Sequence, residues 1–159
     1  MENNINLIYL EYNYTKFYIC DTLNLFNINK FIMELKDHNI KHLIRLSIPL
    51  YDSEYIKAEL INFYDYSITD FFYPSTKIIK KTLKLLNKAK IKNENILIHS
   101  TNNLKTCSIL AGIILINNGM NNTDAIKYLK DNNVSLNLLQ KQYLQDYKIK
   151  KYNKCWYIF

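Results

Sequence analysis

The amino-acid sequence predicts an α/β fold with a partly parallel central sheet flanked by helices. Strand-like and helix-like segments follow one another in the order strand, helix, strand, strand, helix, strand and then helices. Short turn-like stretches separate them, with no internal repeat, linker or low-complexity block. A chain of 159 residues is long enough to bury about 70% of its unfolded surface. We therefore expect one domain over residues 1–150 and a basic, aromatic C-terminal tail over 151–159.

The first half of the chain contains four predicted strands and one predicted helix. Residues 6–13 and 16–21 alternate in hydrophobicity, which is typical of two short strands. Residues 27–39 have the apolar spacing of a helix, and residues 40–48 form a largely apolar strand. After a turn-like stretch, residues 60–68 are predicted to form a further strand.

The second half alternates a helix, a strand and three more helices. Pro74 suits the first turn of a helix that continues to about Lys90, and residues 95–99 form the next strand. The helix from about Thr106 to Asn118 is apolar almost all round, so it should be buried, with Gly119 as its end. Two more helices should follow, the first capped by Thr123 and the second starting at Asn137 or Ser135.

Composition excludes several classes of protein. The net charge of +7 is modest and its lysines are expected to lie dispersed over helix faces, so no nucleic-acid role is expected. Apolar runs are too short to span a bilayer, and the acidic, polar start of the chain does not resemble a signal peptide, so we expect a cytoplasmic location. The surplus of Asn, Ile, Lys and Tyr is typical of an AT-rich genome, such as that of some viruses or protozoan parasites.

Cysteines and histidines do not form a metal or disulfide pattern. Cys20, Cys107 and Cys155 are odd in number and contain no C-x-x-C pair, which argues against a zinc site and against a disulfide framework. His38 and His42 need not share a face, because a helix end and a strand start lie between them. We expect no metal and no cofactor.

The stretch "NILIHSTNNLKTCSILAGIILINNG" (residues 95–119) predicts a buried strand, a polar loop and an apolar helix, an arrangement that favours an anion at the helix N-terminus. Residues 98–132 resemble the phosphate-binding loop and following helices of cysteine-dependent protein tyrosine phosphatases, specifically the phosphatase of regenerating liver group. Residues 27–46, 65–79 and 137–148 resemble other parts of that group. The resemblance covers about residues 6–148 and implies its dual-specificity phosphatase fold.

The group's catalytic loop is H-C-x5-R, in which the cysteine thiolate attacks phosphorus and the arginine grips the phosphoryl oxygens. Here His99 occupies the histidine position, but Ser100 stands at the cysteine position and Thr106 at the arginine position. No C-x5-R occurs anywhere in the chain. Asp70 falls on the general-acid position, and Asp65 on a neighbouring acidic position.

These replacements predict a catalytically inactive pseudophosphatase that binds a protein or a phosphorylated ligand. Its anion- or partner-binding loop would consist of His99, Ser100, Thr101, Asn102, Asn103, Leu104, Lys105 and Thr106. Two alternatives stay open: a weakly active or unconventional dual-specificity phosphatase, and a structural protein that self-associates. In the resembled group a second cysteine can form a disulfide with the nucleophile, but Ser47 stands at its position here.

The resemblance implies a protein partner, either a phosphoprotein or a CBS-pair domain, which members of the group bind. Cys155 is the fifth residue from the end, so it does not form a prenylation motif, and the basic tail predicts weak membrane-surface contact at most. The four large apolar residues at 156–159 should be buried, either on the protein's own surface or in a homodimer.

Overall fold

The computed structural model describes residues 5–21, 27–48, 51–68, 73–100 and 105–150. Within them five strands form one sheet: β1 (Leu7–Tyr12), β2 (Thr15–Asp21), β3 (Ile40–Arg45), β4 (Asn62–Asp65) and β5 (Asn95–Ser100). Helices flank the sheet: α1 (Ile28–Asp37), α2 (Glu54–Lys57), α3 (Thr76–Lys92), α4 (Lys105–Asn117), α5 (Asn122–Asp131) and α6 (Leu138–Asp146). This mixed α/β arrangement confirms the predicted fold class.

The strand order is β1-β2-β5-β3-β4, so β5 lies at the centre of the sheet. β1 and β2 form an antiparallel hairpin whose two turn residues, Asn13 and Tyr14, have φ angles of 48° and 61°. A two-residue turn with both φ angles positive matches the twist of the flanking strands. The β2–β5, β5–β3 and β3–β4 pairs are parallel. Their carboxyl ends therefore meet at one edge of the sheet, which is where α/β proteins commonly bind ligands.

The two faces of the sheet bury separate apolar clusters, and β5 contributes to both. Ile96 and Ile98 point into the larger cluster, which contains most of α4 and parts of α3, α5 and α6. Leu97 points into the smaller cluster, with residues of α1 and α2. This alternation follows from the period of two along a strand, and it decides on which side each functional side chain of β5 lies.

Helix α4 is buried along almost its whole length, as its apolar sequence predicts. Gly119, with a φ of 103°, follows it in a conformation that side-chain-bearing residues rarely adopt. Gly112 allows close packing against α6, because a Cβ atom there would lie 2.6 Å from a methyl carbon of Leu144. Among the described residues no helix combines the length and apolarity needed to cross a membrane.

Three local predictions require correction. The short helix α2 was not predicted, because its four residues are too few to show helical periodicity. Pro74 precedes α3 and does not lie in its first turn, since the side chain of Ser75 caps the helix by accepting a hydrogen bond from the Ile78 amide. Asn121, and not Thr123, caps α5.

Candidate active site

The candidate site lies where the central strand β5 ends and the buried helix α4 begins. β5 ends at Ser100 and α4 begins at Lys105. Residues 101–104 of the predicted loop, namely Thr101, Asn102, Asn103 and Leu104, lie outside the described residues, as does Asp70. The first turn of α4 contains no acidic residue, so its backbone amides and helix dipole favour an anion at this end.

His99 and Ser100 point to opposite faces of the sheet. The His99 ring contacts Phe31, with ring centroids 5.5 Å apart, so it lies on the side of the smaller cluster. Ser100 Oγ contacts Cys107 in α4, on the side of the larger cluster. Both residues are fully buried. The imidazole of His99 is therefore not placed to act as a base for the Ser100 hydroxyl.

A thiol lies beside the position where the resembled group has its nucleophile. Cys107 Sγ lies 3.3 Å from Ser100 Oγ and 3.7 Å from the backbone carbonyl oxygen of Ile98. Burial raises the pKa of Cys107 to about 12, although the hydrogen bond with Ser100 works in the opposite direction. The sulfur is thus close to the reaction position but is a protonated thiol at neutral pH.

His99 is held by Tyr51. The Tyr51 hydroxyl lies 2.7 Å from His99 Nε2, and the two rings are stacked with centroids 5.8 Å apart. Burial, followed by the nearby charge of Arg45, lowers the pKa of His99 to about 3. Burial also raises the pKa of Tyr51 well above its usual range. At neutral pH a neutral imidazole therefore faces a protonated phenol.

Arg45, which ends β3, is buried beside this pair. Its Nη2 donates to Asp65 Oδ2 at 2.6 Å, and its Nη1 donates to the carbonyl oxygen of Tyr51 at 2.9 Å. The guanidinium carbon lies 5.0 Å and 4.9 Å from the ring centroids of Tyr51 and Phe63. Burial works to raise the pKa of Asp65, but hydrogen bonds from Arg45 and Ser67 outweigh it and lower that pKa. Asp65 therefore acts as the structural partner of Arg45.

The remaining predicted loop residues differ in exposure. Thr106, at the arginine position, is buried in the first turn of α4, whereas Lys105 is exposed. Gln140 Nε2 donates to the Lys105 carbonyl oxygen at 2.9 Å and thereby fastens the start of α4 to α6. Ser47, at the second-cysteine position, is buried at the end of β3.

Sequence reasoning missed Cys107, Tyr51, Arg45 and Gln140 as residues of this region. Only Gln140 carried a local signal, because Asn137 and Gln140 have the spacing of a capping box, which the structure contains. Cys107 directly follows the predicted loop, whereas Tyr51 and Arg45 come from sequence-distant segments. Among the described residues no cluster of His, Cys, Asp or Glu is suited to hold a metal ion. His42 instead contacts Glu94, with Nε2 and Oε2 2.6 Å apart.

Comparison with known proteins extends over most of the chain, although no protein-family model matches it. The chain is 34% identical over 143 residues to the Dictyostelium discoideum protein named "Probable protein tyrosine phosphatase type IVA A", covering 88% of this chain and 86% of the relative. The chain belongs to the type IVA protein tyrosine phosphatases, the phosphatase of regenerating liver family. It is also 26% identical over 144 residues to the PRL-1 phosphatase of Drosophila melanogaster, covering 89% and 82% of the two chains.

Solved structures of phosphatases share the fold of this type IVA chain. A protein tyrosine phosphatase from Leishmania major matches with a TM-score of 0.79 at 23% identity, covering 92% of this chain and 99% of that one. Kinase-associated phosphatase with its catalytic-site cysteine substituted by serine matches with a TM-score of 0.70 at 17% identity, covering 92% and 95%. A serine at the nucleophile position is thus compatible with the fold. The relatives named here do not support the expected viral source.

The prediction that this type IVA chain is not an enzyme is contradicted. The relatives that define its family are named as phosphatases, and Cys107 places a thiol 3.3 Å from Ser100 Oγ. The prediction rested on the two replaced positions of H-C-x5-R, whereas the relationship extends over 143 residues. Cys107 does not begin a C-x5-R motif, because Ile113 stands at the arginine position, but in the folded chain its thiol contacts the Ser100 hydroxyl.

Proposed function

We propose that the chain is a weakly active, unconventional protein phosphatase of the dual-specificity type that prefers phosphotyrosine. The observation that carries this proposal is the contact between Cys107 Sγ and Ser100 Oγ at 3.3 Å, at the carboxyl end of the central strand of a type IVA chain. The amides at the start of α4 supply donors for the phosphoryl group, and exposed Lys105 adds a positive charge beside them.

The expected rate is low because neither candidate nucleophile is ionised. Burial holds the pKa of Cys107 at about 12, and the His99 imidazole lies on the face of the sheet opposite the Ser100 hydroxyl. Thr106 cannot replace the planar fork of an arginine. The loss of one preorganised donor to a developing charge commonly costs about 10²- to 10³-fold in rate.

Residual catalysis nevertheless has a physical basis. Phosphoryl transfer passes through a loose transition state in which bond formation to the nucleophile has advanced little, so positioning and fixed donors supply most of the rate enhancement. The rate of hydrolysis then depends strongly on the pKa of the leaving group. A phenol, with a pKa of about 10, departs more easily than the alkyl hydroxyl of serine or threonine, so phosphotyrosine should be the better substrate.

The test is hydrolysis of a phosphotyrosine peptide and of its phosphothreonine counterpart by the full chain. We expect turnover above buffer, faster for phosphotyrosine, and reduced at least about tenfold in Ser100→Ala and in Cys107→Ala. Cys20→Ala is the matched control, because Cys20 is also a fully buried cysteine but lies on β2 and points into the other apolar cluster.

Acid quenching followed by mass spectrometry separates the chemical routes. A phosphate adduct on Cys107 would identify the sulfur as the nucleophile. An adduct on Ser100 would instead identify the hydroxyl oxygen, and the resulting phosphoserine would be hydrolysed slowly. Equal turnover in Cys107→Ala and Cys20→Ala would contradict the proposed role of the thiol. Turnover no higher than in buffer for both peptides would contradict the proposed function itself.

Three further proposals concern the general acid, the protein partner and the location of the chain. Asp70 would protonate the leaving oxygen, and Asp70→Ala should slow phosphothreonine hydrolysis more than phosphotyrosine hydrolysis. A protein partner, either a phosphoprotein or a CBS-pair domain, would meet the exposed Lys105, because His99, Ser100 and Thr106 are buried. Cytoplasmic location stays a prediction that microscopy of the tagged full chain can test.

A further inference from the structure

Helix α3 carries an unusual concentration of positive charge. Its 17 residues, TKIIKKTLKLLNKAKIK, include no aspartate and no glutamate. They include seven lysines: Lys77, Lys80, Lys81, Lys84, Lys88, Lys90 and Lys92. The helix therefore contains no carboxylate of its own to offset these charges.

Five of these lysines form one continuous surface, which we call the lysine face: Lys77, Lys81, Lys84, Lys88 and Lys92. Successive members are three or four residues apart, so they lie on one side of the helix. All five are exposed, and the residues buried in the core lie on the other side. At 1.5 Å per residue the lysine face is about 22 Å long. The expectation of lysines dispersed over helix faces is therefore wrong for α3.

One exposed apolar side chain accompanies the lysine face at the C-terminal end of α3. Ile91 is 74% exposed and lies within it, beside Lys88 and Lys92. An exposed aliphatic side chain among lysines can enter the boundary between lipid headgroups and acyl chains.

We propose that the lysine face of α3 binds the surface of an anionic phospholipid bilayer. A straight, convex row of lysines matches a diffuse planar charge, because each ammonium acts as a point charge without fixed directionality. The bidentate fork of arginine favours directional contacts to the phosphate of a phosphopeptide or to a base edge. The only arginine in the chain, Arg45, is buried and paired with Asp65. A groove with stacking platforms would favour single-stranded nucleic acid, whereas this surface is the outside of a helix.

The experiment is co-sedimentation of the full chain with vesicles of phosphatidylserine and phosphatidylcholine, and with vesicles of phosphatidylcholine alone. We expect binding to the first kind only, and its loss at high salt. The variant of the lysine face substitutes three of its members: Lys77→Gln, Lys81→Gln and Lys88→Gln. Glutamine has nearly the helix propensity of lysine, so α3 should remain folded, which circular dichroism checks.

The matched control removes three exposed lysines from α5 and α6 and has the same net charge: Lys127→Gln, Lys130→Gln and Lys141→Gln. A basic residue near an anionic surface contributes about fivefold to partitioning, so the three changes on the lysine face should weaken binding by about 100-fold. The control should weaken it by less than about threefold. Ile91→Ser should weaken the binding that remains at intermediate salt.

Several results would overturn the proposal. Equal losses in the two triple variants would show that only net charge matters. A third variant tests the C-terminal region with the substitutions Lys148→Gln, Lys150→Gln and Lys151→Gln. If this variant loses binding while the variant of the lysine face keeps it in full, the contact belongs to the C-terminal region. Absence of binding to phosphatidylserine vesicles would refute the proposal directly. If the chain then bound single-stranded nucleic acid, the ligand of this surface would be a different polyanion.

Discussion

Mild acid should destabilise the protein through His99. The imidazole is fully buried, and burial, followed by the charge of Arg45, lowers its pKa to about 3 from a usual value of 6.5. In the unfolded chain the same histidine binds a proton below about pH 6.5. Between these two values the unfolded state holds one more proton than the folded state. Stability therefore falls as the pH falls from 6.5 towards 3.

The expected loss follows from the two pKa values. Between pH 7 and pH 5 the proton uptake of the unfolded chain at His99 should lower the free energy of unfolding by about 2 kcal/mol. Asp65 does not contribute in this interval, because its pKa lies below the usual carboxyl value of 3.8. Its stabilising contact with Arg45 should be lost only in stronger acid.

Urea denaturation at pH 7, 6 and 5 measures this dependence. His99→Gln keeps a group that can hydrogen-bond to Tyr51 but cannot titrate, so it should reduce the pH dependence by about 2 kcal/mol. His38→Gln is the matched control, because His38 lies at the partly exposed end of α1 and its removal should leave the acid sensitivity in place. Equal stability of the unmodified chain at pH 7 and pH 5, or an unchanged pH dependence in His99→Gln, would refute the reasoning.

Three further predictions concern packing, the buried ion pair and the tail. Asp65→Asn should lower the free energy of unfolding by about 1–2 kcal/mol in urea, because it removes the charged partner 2.6 Å from Arg45 in a pair that is partly open to solvent; an unchanged midpoint would contradict this. Gly112→Ala should cost about 1–3 kcal/mol, since the added carbon would lie 2.6 Å from a methyl carbon of Leu144, and Leu144→Val should recover part of that loss. Truncation after Asn153 should convert a dimer into a monomer in sedimentation experiments, and a monomeric full chain would contradict the predicted role of the tail.

Most of the fold could be predicted because its elements have strong local patterns. α4 has an apolar sequence and ends before Gly119, and both properties depend on neighbouring residues alone. Predictions were wrong where local signals competed. Asn121, Asn122 and Thr123 are all good capping residues, so the sequence does not indicate which one caps α5. The four residues of α2 are too few for a periodic pattern to emerge.

The strand and the helix on either side of the candidate site were predictable, whereas the contacts of its side chains were not. A strand, a polar loop and a buried helix mark the place where an anion can bind. The side chains that set its electrostatics come from distant segments, since Tyr51 and His99 are 48 residues apart and Arg45 reaches them from β3. Such contacts depend on the strand order β5-β3-β4, which hydrophobic periodicity does not specify.

The error about catalysis also has a physical origin. A linear motif assigns each role to one sequence position, whereas a folded site assigns roles by distance. β5 and the first turn of α4 meet, so residues 100 and 107, seven apart in sequence, come within 3.3 Å of each other. The thiol at one position and the hydroxyl at the other can exchange a proton across this contact. The two positions therefore form one functional unit, and their substitutions should be non-additive. A test of catalysis in this chain must vary Ser100 and Cys107 together as well as singly.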